Sequence, residues 1–166
     1  MQRDYLTFAI AAQDYGVDIL SVREIRGWTR ETPLPNTAGG VRGVVNLRGQ
    51  VIPIFDLRVR LNADAIPPTA SHVVIIVEAR AGVYGLLVDS VSDIVSLDED
   101  ELQPVPDTVA DAEHGFLTAL ATRNDHMVSL LDLDRLVEGR AIQSLGSAAP
   151  AASQSPSDIP LLEAAA

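Results

Sequence analysis

The 166-residue chain has no cysteine and no lysine. Without cysteine there is no disulfide, no thiolate chemistry and no Cys-ligated metal, and the chain suits a reducing compartment. No apolar run approaches the ~20 residues that a membrane helix needs. Met1-Gln2-Arg3-Asp4-Tyr5 has no signal-peptide apolar region. A cytosolic protein with no direct membrane insertion is expected. Signs of catalysis are missing too. Gly39-Gly40 lacks the Lys-Ser/Thr that completes a phosphate loop. Ser21, Ser90 and Ser129 stand in no nucleophile-elbow pattern. His72, His114 and His126 lie on separate segments without metal-ligand spacing. Asp98-Glu99-Asp100-Glu101 lacks the glycine and the twelfth-position Glu of a calcium loop. Active sites can be assembled from scattered residues, so catalysis stays open at this point, but no positive sign of it is present and no metal or cofactor is expected.

What remains is globular. Hydrophobic residues make up 47% of the chain, enough for one domain or two small subdomains with a common core. The net charge of −11 argues against nucleic acid and anionic lipid as main partners. The charge is uneven: residues 1–60 carry eight Arg against six acids, and residues 61–166 carry four Arg against seventeen. Two halves with different binding surfaces are expected.

In chain order, Leu6-Thr7-Phe8-Ala9-Ile10 alternates as a half-buried strand does. Gln13-Asp14-Tyr15-Gly16 reads as a turn, with Val17-Asp18-Ile19 returning as the partner strand. Asn36 or Thr37 is placed to cap a short helical turn through Val41. Asp56 to Leu61 reads as one more helical turn. His72-Val73-Val74-Ile75-Ile76-Val77 reads as a strand covered on both faces. Val83 to Val88 returns after Ala81-Gly82, and Gly115–Leu120 with His126–Leu133 form a last strand pair. Residues 141–166 turn to Ala, Ser and Pro and are expected to be a disordered tail.

The stretch from Gly43 to Arg58 organises the first half. Two apolar strands meet at Arg48-Gly49-Gln50, where Gly49 supplies the positive φ of a tight turn. Pro53 cannot donate to a ladder, which predicts an edge strand or a bulge there. Arg48 is thereby held at a stiff tip, its five donors suited to carboxylates and carbonyls.

The second half repeats this plan. Tyr15-Gly16-Val17 through Ile25 lies over Tyr84-Gly85-Leu86 through Ile94 without a gap. Pro33–Thr37 has its counterpart in Pro104–Thr108, and Ile54-Phe55-Asp56-Leu57 in Leu130-Leu131-Asp132-Leu133. Each unit of about five short strands suits a small barrel. Neither buries enough alone, so a shared core is expected. The units are 5–61 and 72–137 for the most part, within a domain of 5–140.

These residues resemble a known family. Tyr15–Gly27, Pro35-Asn36-Thr37, Gly43-Val44-Val45-Asn46-Leu47-Arg48-Gly49, Val51–Arg58 and Gly85–Leu97 together look like CheW, the adaptor of bacterial chemotaxis. The resemblance runs from Tyr5 to Val137. It implies two SH3-like five-stranded barrels around a common hydrophobic core, with short helical turns and no enzymatic activity. It implies coupling of chemoreceptor cytoplasmic tips to the regulatory domain of the histidine kinase CheA. Receptor tips would dock between the barrels, and contacts between copies would build rings in membrane-associated arrays. By matching position, Val22, Glu24, Gly43, Arg48 and Gly49 correspond to the receptor- or kinase-coupling region, with Glu24 and Arg48 a paired acid and base. Three rivals are weighed: an adaptor for another chemosensory pathway, such as surface motility or second-messenger control; an SH3-like domain that binds a small molecule or acts enzymatically; and a piece of a larger kinase.

Overall fold

A computed structural model describes residues 1–35, 40–61, 63, 64, 66–106 and 115–138. The expected cap at Asn36 or Thr37, His114 and the tail lie outside them. The strands are β1 (Gln2–Ile10), β2 (Gln13–Asp18), β3 (Val22–Gly27), β4 (Val41–Leu47), β5 (Gln50–Asp56), β6 (Val73–Ala79), β7 (Gly82–Val88), β8 (Ser90–Asp98), β9 (Leu102–Gln103), β10 (Leu117–Arg123) and β11 (His126–Leu131). Short helices α1 (Leu57–Arg60) and α2 (Leu133–Glu138) follow β5 and β11, and 3-10 turns cover Ile19–Ser21 and Glu99–Glu101.

The strands form two sheets, in the orders β8-β1-β2-β11-β10-β9 and β3-β6-β7-β5-β4. Laying the repeat over itself turns one order into the other. β1 corresponds to β6, β2 to β7, β3 to β8, β4 to β10 and β5 to β11, and the bridge Thr32↔Val44 stands where β9 pairs with β10. Each sheet therefore takes most of its strands from one half and a whole hairpin from the other. The parallel pairs record the exchange: Gly16↔Leu130 between β2 and β11, and Ile54↔Gly85 between β5 and β7. The glycines are small for the same reason. A Cβ on Gly16 would meet Leu130 Cδ2 at 2.9 Å, and one on Gly85 would meet Ile54 Cδ1 at 2.4 Å.

The mainly β class with SH3-like units is observed, with one adjustment. Among the described residues neither ladder closes into a full barrel, and the first sheet has six strands where five were expected. Closure comes from the chain, which runs from edge strand to edge strand through 28–32 and Glu99–Glu101.

Alternation assigns the faces. On β6, Ile75 and Val77 face a large cluster with Leu6, Phe8, Phe55, Leu86, Leu131 and Leu136, drawn from both sheets and from α2. Val74 and Ile76 face a smaller one with Ile52, Ile54 and Leu87, inside the second sheet. A matching small cluster of Tyr5, Leu97, Ala121, Val128 and Leu130 fills the first. The expected common core is the largest of the three.

Two local expectations change. The first turn falls at Ala11-Ala12, both with positive φ (51° and 67°), so Gln13 to Gly16 is strand. A two-residue turn of this hand follows the strand twist and needs no glycine once neighbouring strands fix it. Pro53 lies in an interior strand, but β7 pairs only with Ile54 to Asp56, so the missing N–H falls where the ladder has ended. The bulge is in the facing strand, between Val41 and Gly43.

Candidate functional site

The Arg48-Gly49 tip is a two-residue turn with φ of 52° and 86°. Asn46 staples it, its Oδ1 accepting the Gly49 N–H at 2.9 Å. From this tip Arg48 reaches across to edge strand β3. Its Nη1 and Nη2 donate to Glu24 Oε1 and Oε2 at 3.2 and 3.3 Å, a bidentate fork. Arg26 approaches the same carboxylate at 3.7 Å. The Arg48 side chain stays 74% exposed while Glu24 is 26% exposed. The fork borders a cavity of about 520 Å³ floored by Leu47, Ile52, Ile76 and Val83. Apolar floor and fixed charges together make a surface fit for a protein partner.

The five residues expected to form the coupling region do not form one patch. Glu24, Arg48 and Gly49 come together. Val22 pairs with Val77 and packs on the common core. Gly43 is buried behind the face, where a Cβ would meet Thr32 O at 2.2 Å. Its neighbour Val44 exchanges two 2.8 Å hydrogen bonds with Thr32. Gly43 thus lets the chain after β3 close onto β4, which is a structural task. Trp28, the only Trp, packs on the inner cluster of the second sheet and donates Nε1–H to Glu31 at 2.9 Å.

A second surface lies between the sheets. A crevice of about 560 Å³ is walled by Glu78 and Ala79 on one sheet, by Tyr5, Thr118 and Ala119 on the other, and by the start of α2. The ion pairs Arg3–Asp18 and Arg80–Asp134 sit in its walls at 3.7 and 3.4 Å. Next to wall residue Ser21 is Leu20, 90% exposed. Sequence reasoning passed over Leu20 because the 3-10 turn that turns it outward interrupts the strand pattern.

Two open, partly apolar surfaces on one duplicated body define a class: a protein-docking module of paired SH3-like units. The chain belongs to the CheW-like domain family, whose model matches residues 4–141. It is 42% identical over 132 residues to a chemotaxis protein CheW of Rhizobium meliloti, covering 80% of this chain and 85% of that one. It is 36% identical to the chemotaxis protein CheW of Klebsiella aerogenes, covering 81% of each. Among solved structures it resembles the scaffolding protein TtCheW of Thermoanaerobacter tengcongensis, with a TM-score of 0.75 and 29% identity over 85% of this chain and 91% of that one.

Proposed function

We propose that the chain is a chemotaxis adaptor that couples chemoreceptors to the histidine kinase CheA, acting by binding alone. It works in the cytoplasm at membrane-bound receptor arrays. The observation that supports this reading is the presence of two separate open, partly apolar surfaces on one body. The crevice between the sheets, with Leu20 at its side, takes the helical tip of a receptor. The Glu24–Arg48 face takes the kinase's regulatory domain, or a second copy of the chain in a ring. Apolar floor residues supply affinity there. The fork fixes register, since an exposed ion pair contributes only about 0–1 kcal/mol.

The test is reconstitution of chain, receptor fragment and kinase. Kinase flux should rise only with all three present. Arg48→Ala should melt within about 0.5 kcal/mol of the parent and fail to activate the kinase. Full activation by that variant would remove Arg48 from the mechanism.

A further inference from the structure

The chain crosses between its sheets at two corresponding joints. One joins β2 to β3 and the other joins β7 to β8. Leu20 stands at the first, and Asp89 holds the same place at the second. Leu20 projects free beside the crevice. Asp89 is gripped. Arg58 Nε donates to its Oδ1 at 2.9 Å and Arg58 Nη2 to its Oδ2 at 2.7 Å. The Ala11 N–H donates to Oδ2 at 2.9 Å. Asp89 also donates its own N–H to Ala9 O at 3.1 Å, and His72 Nε2 stands 3.9 Å from Oδ1.

These contacts join different sheets. Arg58 belongs to α1, directly after β5 of the second sheet, and Ala11 turns the β1–β2 hairpin of the first. With side chains only 16% and 23% exposed, the Arg58–Asp89 pair is partly shielded from water. Short charge-assisted bonds in that setting are strong and directional. In the repeat, Arg58 is replaced by Asp134 and Asp89 by Leu20. There Asp134 accepts the Arg80 N–H directly at 2.7 Å and pairs with the exposed Arg80 side chain at 3.4 Å, but among the described residues no side-chain fork reaches the joint at Leu20, and the crevice is open.

We propose that the Arg58–Asp89 fork is a latch that shuts one flank of the seam between the sheets and so sets the width of the crevice on the duplicated flank. This rests on the reading of that crevice as the receptor-docking groove. Both are positioning residues, acting through the sheet-to-sheet angle. A groove held at its working width binds without first being ordered. The duplicated fold has two equivalent flanks, and the latch leaves one of them open.

The test uses the absence of cysteine. Glu78→Cys and Thr118→Cys place spin labels on the crevice walls of opposite sheets. Asp89→Asn keeps an acceptor for Ala11 and loses the charge. Arg58→Gln loses the other. Each should broaden the label-to-label distance distribution and weaken receptor-fragment binding about tenfold, with kinase-domain binding at the Glu24–Arg48 face unchanged. The double variant should be no worse than either single, the mark of a coupled pair. Arg58→Lys, which keeps the cation without the fork, should fall between, and it covers the case of an Asp89 variant too unstable to measure. Lower melting with parental distances and parental affinity would overturn the latch. If the distances broaden but the parent chain binds no receptor fragment, the latch stands and the docking assignment falls.

Discussion

At Gly43 and Asp89, single atoms decide outcomes. Gly43 has no room for a side chain, with Thr32 O at 2.2 Å and Thr32 C at 2.7 Å from an added Cβ. Both are backbone atoms that no rotamer can move. Gly43→Asp should cost about 3 kcal/mol or more, read as a lower urea midpoint, and any loss of partner binding should follow that lost stability. Parental melting would show that the β3–β4 closure tolerates bulk. Asp89 gives a pH signature. Burial pulls its carboxyl up, but the Arg58 fork, the Ala11 N–H and the charges of Arg58 and His72 outweigh it, so its pKa lies below the ordinary value. A group with a depressed folded pKa contributes stability above its unfolded value, about 3.9 for Asp, and loses it as pH falls through the folded value. Asp89→Asn should therefore cost about 1.5–3 kcal/mol at pH 7, with the gap to the parent closing below about pH 4. A gap that stays constant into acid would mean that the charge is irrelevant. Of these residue-scale features, the positive φ of Gly49 was legible, because a tight turn between two apolar runs demands it. The task of Gly43 was not, because the atom that excludes a Cβ comes from Thr32, eleven residues away and across a bridge.

The elements show where sequence pattern stops carrying information. Strand β6 was readable on both faces, because a β-branched run with no polar alternation has only that use. α1 was readable from Asp56-Leu57, where the Asp56 Oδ1 accepts the Arg58 N–H at 3.0 Å. Its duplicate α2 is built alike, Asp132 Oδ1 accepting the Asp134 N–H at 3.0 Å, yet only a final strand pair was expected there. Similarly, Asn124 and Asp125 form the second tip with φ of 49° and 64°. That leaves Arg123 in strand opposite His126, so it is no counterpart of Arg48. The exchange of hairpins was invisible, since β1–β2 and β6–β7 carry the same pattern and either would satisfy either sheet. Its packing is testable. Gly85→Ala drives a methyl into Ile54 Cδ1 and should destabilise by about 1–3 kcal/mol. Ile54→Val removes that carbon, so the double variant should be more stable than the sum of the two singles. Simple additivity in denaturant unfolding would mean that Gly85 is small for some reason other than its exchanged neighbour.

For the whole molecule, the exchange makes each half depend on the other. Cut the chain at exposed Ala70-Ser71 and the first piece keeps β1 to β5. Its β1–β2 hairpin has lost both flanking strands, β8 and β11, and its β3 and β5 have lost β6 and β7 between them. The second piece is left in the mirrored condition. The common core divides as well, with Leu6, Phe8, Ile10, Val17, Phe55 and Leu57 on one piece and nine partners on the other. A lone hairpin is at best marginal in water, and a fully buried side chain of this size contributes about 1.5–3 kcal/mol only when its partners cover it. Each fragment alone should therefore give a collapsed amide spectrum. The two mixed should recover the dispersed spectrum of the intact chain in a concentration-dependent way, with Arg60 again donating to Leu136 O across the cut. Two contiguous barrels packed side by side would behave in the opposite way, each fragment folding alone and the mixture adding little. The adaptor reading needs the first behaviour, because a body whose sheets interlock holds its two docking surfaces at one fixed angle, and a bridge that swivelled could not hold receptor and kinase in a fixed array.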